Sequence, residues 1–174
     1  SVSEVVGSGA PPDTLLSYKT AGIPSETSEW DVPNCHTIQG LSLRGNGDTA
    51  YLTFAGKEAG DDSFFKIYKQ KFAFSGINGW KRSGELDVAF SSGNSLNAYS
   101  PSVSADGSKI VFNSNSDIHL YSDNDKGGNQ EIIAYNAGQP VISSNGKRIF
   151  YVDDIDKELR VYDLDSGSDE ALYL

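Results

Sequence analysis

The residues best suited to ligand recognition stand in three short polar segments, each directly before a run of apolar residues. These segments are residues 36–39 (HTIQ), 97–100 (NAYS) and 136–139 (NAGQ). Amide and hydroxyl groups beside an aromatic ring suit sugar or peptide recognition, because they combine directional hydrogen bonds with a stacking surface. The predicted ligand-binding residues of these segments are His36, Gln39, Asn97, Tyr99, Ser100, Asn136 and Gln139. Trp30 and Trp80 are added as aromatic platforms, with packing in the interior as the alternative role for each ring.

A second candidate chemistry is the binding of a hard cation such as Ca²⁺. Asp123, Asp125 and Glu131 surround a pair of glycines in YSDNDKGGNQE (residues 121–131), and carboxylate oxygens are ligands that Ca²⁺ prefers. The spacing departs from an EF-hand loop because Gly127 stands at a ligand position, and acidic hairpin loops are ordinarily solvated turns. We predict that no cofactor is required and keep these three side chains as candidate calcium ligands.

Residue patterns typical of catalysis are missing from the sequence. It contains two histidines, no G-x-S-x-G nucleophile motif and no H-E-x-x-H zinc motif. His119 lies in IHLYSD, where strand alternation sends it to the face opposite Ile118 and Leu120. The single cysteine, Cys35, excludes an intramolecular disulfide. We therefore predict no catalytic residues and no enzymatic activity for this chain.

Composition limits the classes of partner. The 174 residues carry 24 acidic and 14 basic side chains, for a net charge of −10, which argues against nucleic acid and anionic membranes. No apolar run approaches the roughly 18 residues of a membrane span, so membrane insertion is not expected. Because the sequence begins without Met, we interpret its start as a processed terminus and expect an extracytoplasmic or secreted protein.

The elements that must position these residues form an internal repeat. Residues 41–54 (LSLRGNGDTAYLTF), 101–114 (PSVSADGSKIVFNS) and 140–153 (PVISSNGKRIFYVD) align without gaps. Each has an apolar strand, an Asn-Gly or Asp-Gly pair that permits the positive φ of a tight hairpin, and a second strand. A third strand ends at a tyrosine (Tyr68, Tyr121 or Tyr162), and segments such as QEIIAY supply a fourth. Four antiparallel strands in about 40 residues predict a β-propeller blade.

The repeat resembles that of TolB-like propellers over about residues 37–174. Residues 101–125 match the family pattern best, with Ala105 where the family prefers Pro, and the GWKRSGEL segment around Trp80 resembles a blade-ending strand. The resemblance implies an all-β propeller fold. It leaves function open, because the family includes binding scaffolds, lectins, peptidase gating domains and lyases.

The predicted organisation is a flexible tail (residues 1–13), a partial or atypical blade (14–36), a blade with insertions (37–98) and two further blades (99–138 and 139–174). Three clear four-stranded blades are fewer than the roughly four to eight blades that usually close into a propeller ring. A longer chain, a second copy forming a homodimer, or an atypical blade from the first 35 residues could complete it.

These observations predict a non-catalytic recognition module that binds carbohydrate in a lectin-like manner or serves as a protein-interaction scaffold for a protein or peptide ligand. The alternative is a fragment of the propeller domain of a larger peptidase or polysaccharide-degrading enzyme, with catalytic residues elsewhere.

Overall fold

The structure is a computed structural model that describes residues 35–58, 64–76, 79–84, 86–90, 97–123 and 128–172. Within these ranges the chain forms thirteen β-strands in three antiparallel sheets. The predicted all-β fold of propeller blades is confirmed. The predicted tail and nearly all of the predicted partial blade at 14–36 lie outside the described residues. Within the described part, the chain contains no helix with the length and apolar character needed to traverse a bilayer.

The first sheet, blade 1, is larger than the four-stranded unit expected from the repeat. It orders β1 (Cys35–Asn46), β2 (Thr49–Glu58) and β3 (Lys66–Phe74), and then β4 (Trp80–Arg82) and β5 (Asp87–Phe90). Both β4 and β5 pair with β3, so two short strands share the outermost position.

The other two sheets are four-stranded meanders. Blade 2 contains β6 (Ala98–Val103), β7 (Lys109–Ser114), β8 (Asp117–Ser122) and β9 (Asn129–Ala134). Blade 3 contains β10 (Ala137–Ile142), β11 (Arg148–Asp153), β12 (Leu159–Asp163) and β13 (Asp169–Ala171). Strand order follows chain order in both sheets.

The three predicted Asn/Asp-Gly hairpins join the first two strands of each blade. Their glycines, Gly47, Gly107 and Gly146, have φ values of 60°, 72° and 67°. Gly107 has a second requirement, because a Cβ atom there would overlap the ring of Tyr51 in blade 1. The hairpin of blade 2 therefore packs directly against blade 1 at Gly107, where only glycine fits.

The prediction that Tyr68, Tyr121 and Tyr162 occupy equivalent places is wrong for the first of them. Tyr121 pairs with Ile110 and Tyr162 with Ile149, which are aligned positions of the repeat. The aligned residue of blade 1 is Ala50, and its partner on β3 is Phe72. Tyr68 lies four residues before Phe72 on β3, and its ring stacks on that of Phe54, with ring centroids 5.2 Å apart. The longer strands of blade 1 account for the offset.

Alternating side chains pack the blades face to face. One apolar cluster joins Ala55 and Ile67 of blade 1 to Val103, Ile110 and Phe112 of blade 2. Burial of these alternate positions is what the period of two in each strand predicts. A second cluster joins blades 2 and 3 in the same way and contains Val111, Ile118, Leu120, Ala137, Ile142, Ile149 and Tyr151.

A serine hydroxyl joins the first strand of blade 1 to blade 2, and another joins the first strand of blade 2 to blade 3. The Ser42 Oγ atom accepts a hydrogen bond from the Val103 N–H at 3.3 Å, and Ser102 Oγ accepts one from the Ile142 N–H at 3.1 Å. The two serines are aligned in the repeat, and so are the two donors. Valine (Val141) stands at the corresponding position of blade 3. These bonds satisfy backbone donors at strand edges that would otherwise be buried without a partner.

His119 is an interior residue with no solvent-facing role. It is 5% exposed, its ring stacks on Phe112 at 5.5 Å between centroids, and its Nδ1 atom is 2.7 Å from Gln130 Nε2. Burial lowers the pKa of His119, against the opposing influence of nearby Asp117. The predicted alternation is confirmed, since Ile118 and Leu120 pack on the other face, between blades 2 and 3.

We predict that Ser102→Ala lowers the free energy of unfolding by about 1–3 kcal/mol, because the buried Ile142 N–H loses its acceptor. Urea denaturation monitored by tryptophan fluorescence measures the change. Ser144→Ala, at an exposed turn position, is the matched control and is expected to change stability little. Equal stabilities of the two variants would contradict the role assigned to Ser102.

We further predict that His119 makes stability depend on pH. Because its pKa is lower in the folded than in the unfolded chain, its contribution is complete above pH ~6.5 and is lost as pH falls below that value, with a slope of at most about 1.4 kcal/mol per pH unit. Urea denaturation between pH 8 and pH 5 should show a shallower decline for His119→Gln than for the native chain. Parallel declines would show that His119 is not responsible.

Candidate ligand-binding site

Each innermost strand carries a β-bulge at the same repeat position. The register shifts between Gln39 and Leu41 in β1, between Tyr99 and Ser102 in β6, and between Gly138 and Val141 in β10. The aligned residues Gly40, Ser100 and Gln139 have φ values of 62°, 49° and 56°. A positive φ costs a non-glycine residue about 1–2 kcal/mol, so the surrounding structure must hold Ser100 and Gln139 in this conformation.

Proline follows two of the bulges. Pro101 and Pro140 are buried and lie on strands that form one edge of their sheets, where a residue without an N–H leaves no ladder hydrogen bond unmade. The bulges turn the strand direction and place residues of the three blades around a common space. The local sequence signals for this turn are Gly40 in blade 1 and the prolines in blades 2 and 3.

The three bulged strands line one groove, which we call the axial groove. It is formed by residues 40–44 of β1, 100–102 of β6 and 139–141 of β10, and its volume is about 410 Å³. Strand β6 contacts both β1 and β10, so the groove runs along the inner edges of consecutive blades. Propellers commonly bind ligands at such a convergence of equivalent strands.

The lining of the axial groove is aliphatic with a few polar groups. Leu41 and Val141 are 55% and 45% exposed, unusual values for aliphatic side chains in the interior-facing strands of a sheet. Ser100 and Gln139 add polar side chains, and both are exposed. Among the described residues that line the groove, Arg44 is the single charged one and none is aromatic.

Two of the predicted ligand-binding residues line this groove and two more hold nearby loops in place. Ser100 and Gln139 lie in it, and Gln39 is exposed on β1 beside Gly40. Asn97 Oδ1 accepts a hydrogen bond from the Phe65 N–H at 3.0 Å, and the ring of Tyr99 packs on Phe65 with centroids 5.4 Å apart.

The remaining predicted residues lie away from the groove or outside the described side chains. The Asn136 N–H donates to Asp117 Oδ1 at 3.1 Å, within the connection between blades 2 and 3. Trp80 packs against an apolar cluster of blade 1 and lies 5.4 Å from Phe74 between ring centroids. Trp30 is outside the described residues, and His36 is described only by its backbone place in β1.

The sequence analysis missed the residues that contribute most of the lining. Leu41, Ser42, Arg44 and Pro101 stand inside the repeat, where each appeared to be an ordinary residue of a hairpin strand. The signal that could have identified them is the aligned pair of serines at 42 and 102. A polar residue recurring on the inner strand of a blade indicates a function at that edge.

A second cavity of about 500 Å³ separates blades 1 and 2, and we call it the inter-blade groove. One ion pair lies in it. Lys69 Nζ lies 2.7 Å from Asp123 Oδ2, and Asp87 is the cross-strand partner of Lys69. Burial alone would raise the pKa of Asp106, but hydrogen bonds from Ser104 and Ser108 outweigh it and keep the pKa below its ordinary value. These pairings indicate a structural role in joining the blades.

The predicted calcium ligands are only partly covered by the structure. Asp123 pairs with Lys69, Glu131 is exposed on β9, and Asp125 lies outside the described residues. Within the described ranges, no group of three or more His, Cys, Asp or Glu side chains is arranged to hold a metal ion. Calcium binding by this loop stays a prediction.

Comparison with known proteins identifies structural similarity without a family assignment. No protein-family model matches the chain, and no curated protein matches it. A candidate TolB from Agrobacterium tumefaciens is 20% identical, with a TM-score of 0.47 over 83% of this chain and 50% of that protein. The calcium structure of a carbohydrate-active enzyme of family AA12 from Trichoderma reesei is 10% identical, with a TM-score of 0.47 over 81% of this chain and 40% of the enzyme. The chain thus spans half or less of either protein.

We predict that Asp123→Asn destabilises the chain, because Lys69, whose side chain is 11% exposed, loses the carboxylate that compensates its charge. Asp123 is itself 46% exposed, so the loss should be about 1–2 kcal/mol, less than that of a fully buried pair. Urea denaturation measures it. The control is Asp165→Asn, which removes an ion pair exposed at both ends and should leave the denaturation midpoint unchanged. If Asp123→Asn and Asp165→Asn changed stability equally, the burial of Lys69 would not make its ion pair more stabilising.

Proposed function

We propose that this chain is a non-catalytic recognition module of propeller type and that it binds an extended polypeptide segment in the axial groove. The observation that carries the proposal is the convergence of three bulged inner strands on one groove with exposed Leu41 and Val141. Exposed apolar side chains gathered in one groove among polar residues are typical of a surface that a partner covers.

The shape and chemistry of the groove favour a polypeptide over a sugar. A pyranose ring is usually held by an aromatic face together with directional hydrogen bonds, and the described part of the groove lining supplies no such face. Leu41, Val141 and the two prolines instead offer apolar contacts for aliphatic side chains.

The two alternatives predicted from the sequence, a lectin-like module and a domain of a larger enzyme, are tested by the same binding assay. A lectin-like module would retain oligosaccharides in place of peptides. A propeller domain of a larger enzyme would keep a peptide groove, and its catalytic residues would lie in another part of that protein. The extracytoplasmic location stays a prediction.

We predict that the chain selects binders from a phage-displayed library of random octapeptides. Leu41→Asp should weaken the selected peptides at least tenfold, equivalent to about 1.4 kcal/mol, because it replaces an apolar contact by a charge within the groove. Fluorescence anisotropy with labelled peptides measures the affinities.

Ile132→Asp is the matched control, since Ile132 is 43% exposed and lies on β9, the outermost strand of blade 2. It should alter affinity less than twofold. A glycan array probed in parallel covers the lectin alternative. Binding of oligosaccharides without selection of peptides would reject the proposal, as would equal effects of the two substitutions.

A further inference from the structure

Arg44 is a charged residue in the lining of the axial groove. Arg44 is exposed, and within the described part of the chain its guanidinium forms no ion pair. It is a positive charge in a protein whose net charge is −10. A cation left uncompensated in an acidic protein, in the lining of a groove, is available to a carboxylate of the ligand.

One of the two aligned serines adds a donor to the groove that contains Arg44. Ser42 and Ser102 accept hydrogen bonds from the next blade with their Oγ atoms, which uses one lone pair of each hydroxyl. Neither hydroxyl donates a hydrogen bond within the described residues. Ser42 is half-buried, so its O–H can donate to a ligand, whereas Ser102 is 5% exposed and lies against the next blade. Both serines line the groove together with Arg44. The groove therefore complements a ligand that presents oxygen acceptors.

The position of Arg44 favours an acidic side chain over a chain terminus. Residues 45–47, which follow Arg44 in the chain, are exposed and do not line the groove. An extended segment can thus continue past the guanidinium. A terminal carboxylate would be the expected partner of a groove that is blocked at its end.

We propose that the axial groove recognises a polypeptide segment with an Asp or Glu side chain, that the carboxylate pairs with Arg44, and that the Ser42 hydroxyl donates to an oxygen of the same segment. This inference rests on the proposed peptide-binding function. It assigns the charge specificity of that site, and a partner with acidic residues among aliphatic ones fits it.

The test uses the full chain and four pools of random octapeptides, all N-acetylated. Three pools are C-terminally amidated and carry Glu, Gln or Lys at a fixed central position, and the fourth carries Gln with a free C-terminal carboxylate. The native chain should retain the Glu pool at least fivefold better than the amidated Gln pool, and the Lys pool least. Arg44→Gln should make retention of the Glu and Gln pools equal, and Arg44→Lys should restore part of the preference.

Lys81→Gln is the matched control, because Lys81 is exposed on β4 and does not line the groove. It should preserve the preference for Glu. Equal retention of Glu and Gln pools by the native chain, with binding still sensitive to Leu41→Asp, would overturn the carboxylate assignment and leave peptide binding intact. Preference for the free-terminus pool over the Glu pool would overturn the side-chain assignment. Retention of an oligouronate and of no peptide pool would overturn both proposals.

Discussion

The structure depends on hydrogen-bond partners for the backbone N–H groups along the inner edge strand of each blade. An edge strand has backbone N–H groups without a ladder partner, and where the next blade packs against it these groups are removed from water. Ser42 and Ser102 solve the problem by placing a hydroxyl oxygen against an N–H of the following blade. A second repeated bond supports them, from the Ala98 N–H to the Phe65 carbonyl and from the Ala137 N–H to the Ser116 carbonyl. The apolar clusters between blades form on this polar frame.

The axial groove forms along the same inner edge strands. A straight inner strand would continue its ladder and keep the serines in the plane of the sheet. The bulges at Gly40, Ser100 and Gln139 instead break the register two residues before the position that a serine occupies in blades 1 and 2. In blade 1, Ser42 reaches the next blade while the exposed Leu41 beside it lines the open space. Cohesion between blades and the binding surface thus come from one local irregularity, repeated three times.

The fold was readable from the sequence because its determinants are local. Gly47, Gly107 and Gly146 mark hairpins by a steric requirement, and alternation of apolar residues marks the buried faces. The site was less readable. Ser100 and Gln139 have no intrinsic preference for positive φ, so packing imposes their conformation and the sequence does not signal it. Asn97 resembled a ligand group because it is polar and precedes a strand, yet its amide oxygen binds the Phe65 N–H, a partner 32 residues away. The offset of Tyr68 arose in the same way, from strand lengths that only the register reveals.

Val141 gives the series of serine bonds a direction. Blade 2 both offers an N–H, at Val103, to the blade before it and supplies an acceptor, at Ser102, to the blade after it. Blade 3 offers an N–H at Ile142 and has a valine where the acceptor would be. Tandem duplication of blade 2 would therefore preserve every bond of this kind, whereas duplication of blade 3 would leave one N–H unmatched. The middle blade is the unit by which a gene encoding this repeat can lengthen without a loss of cohesion.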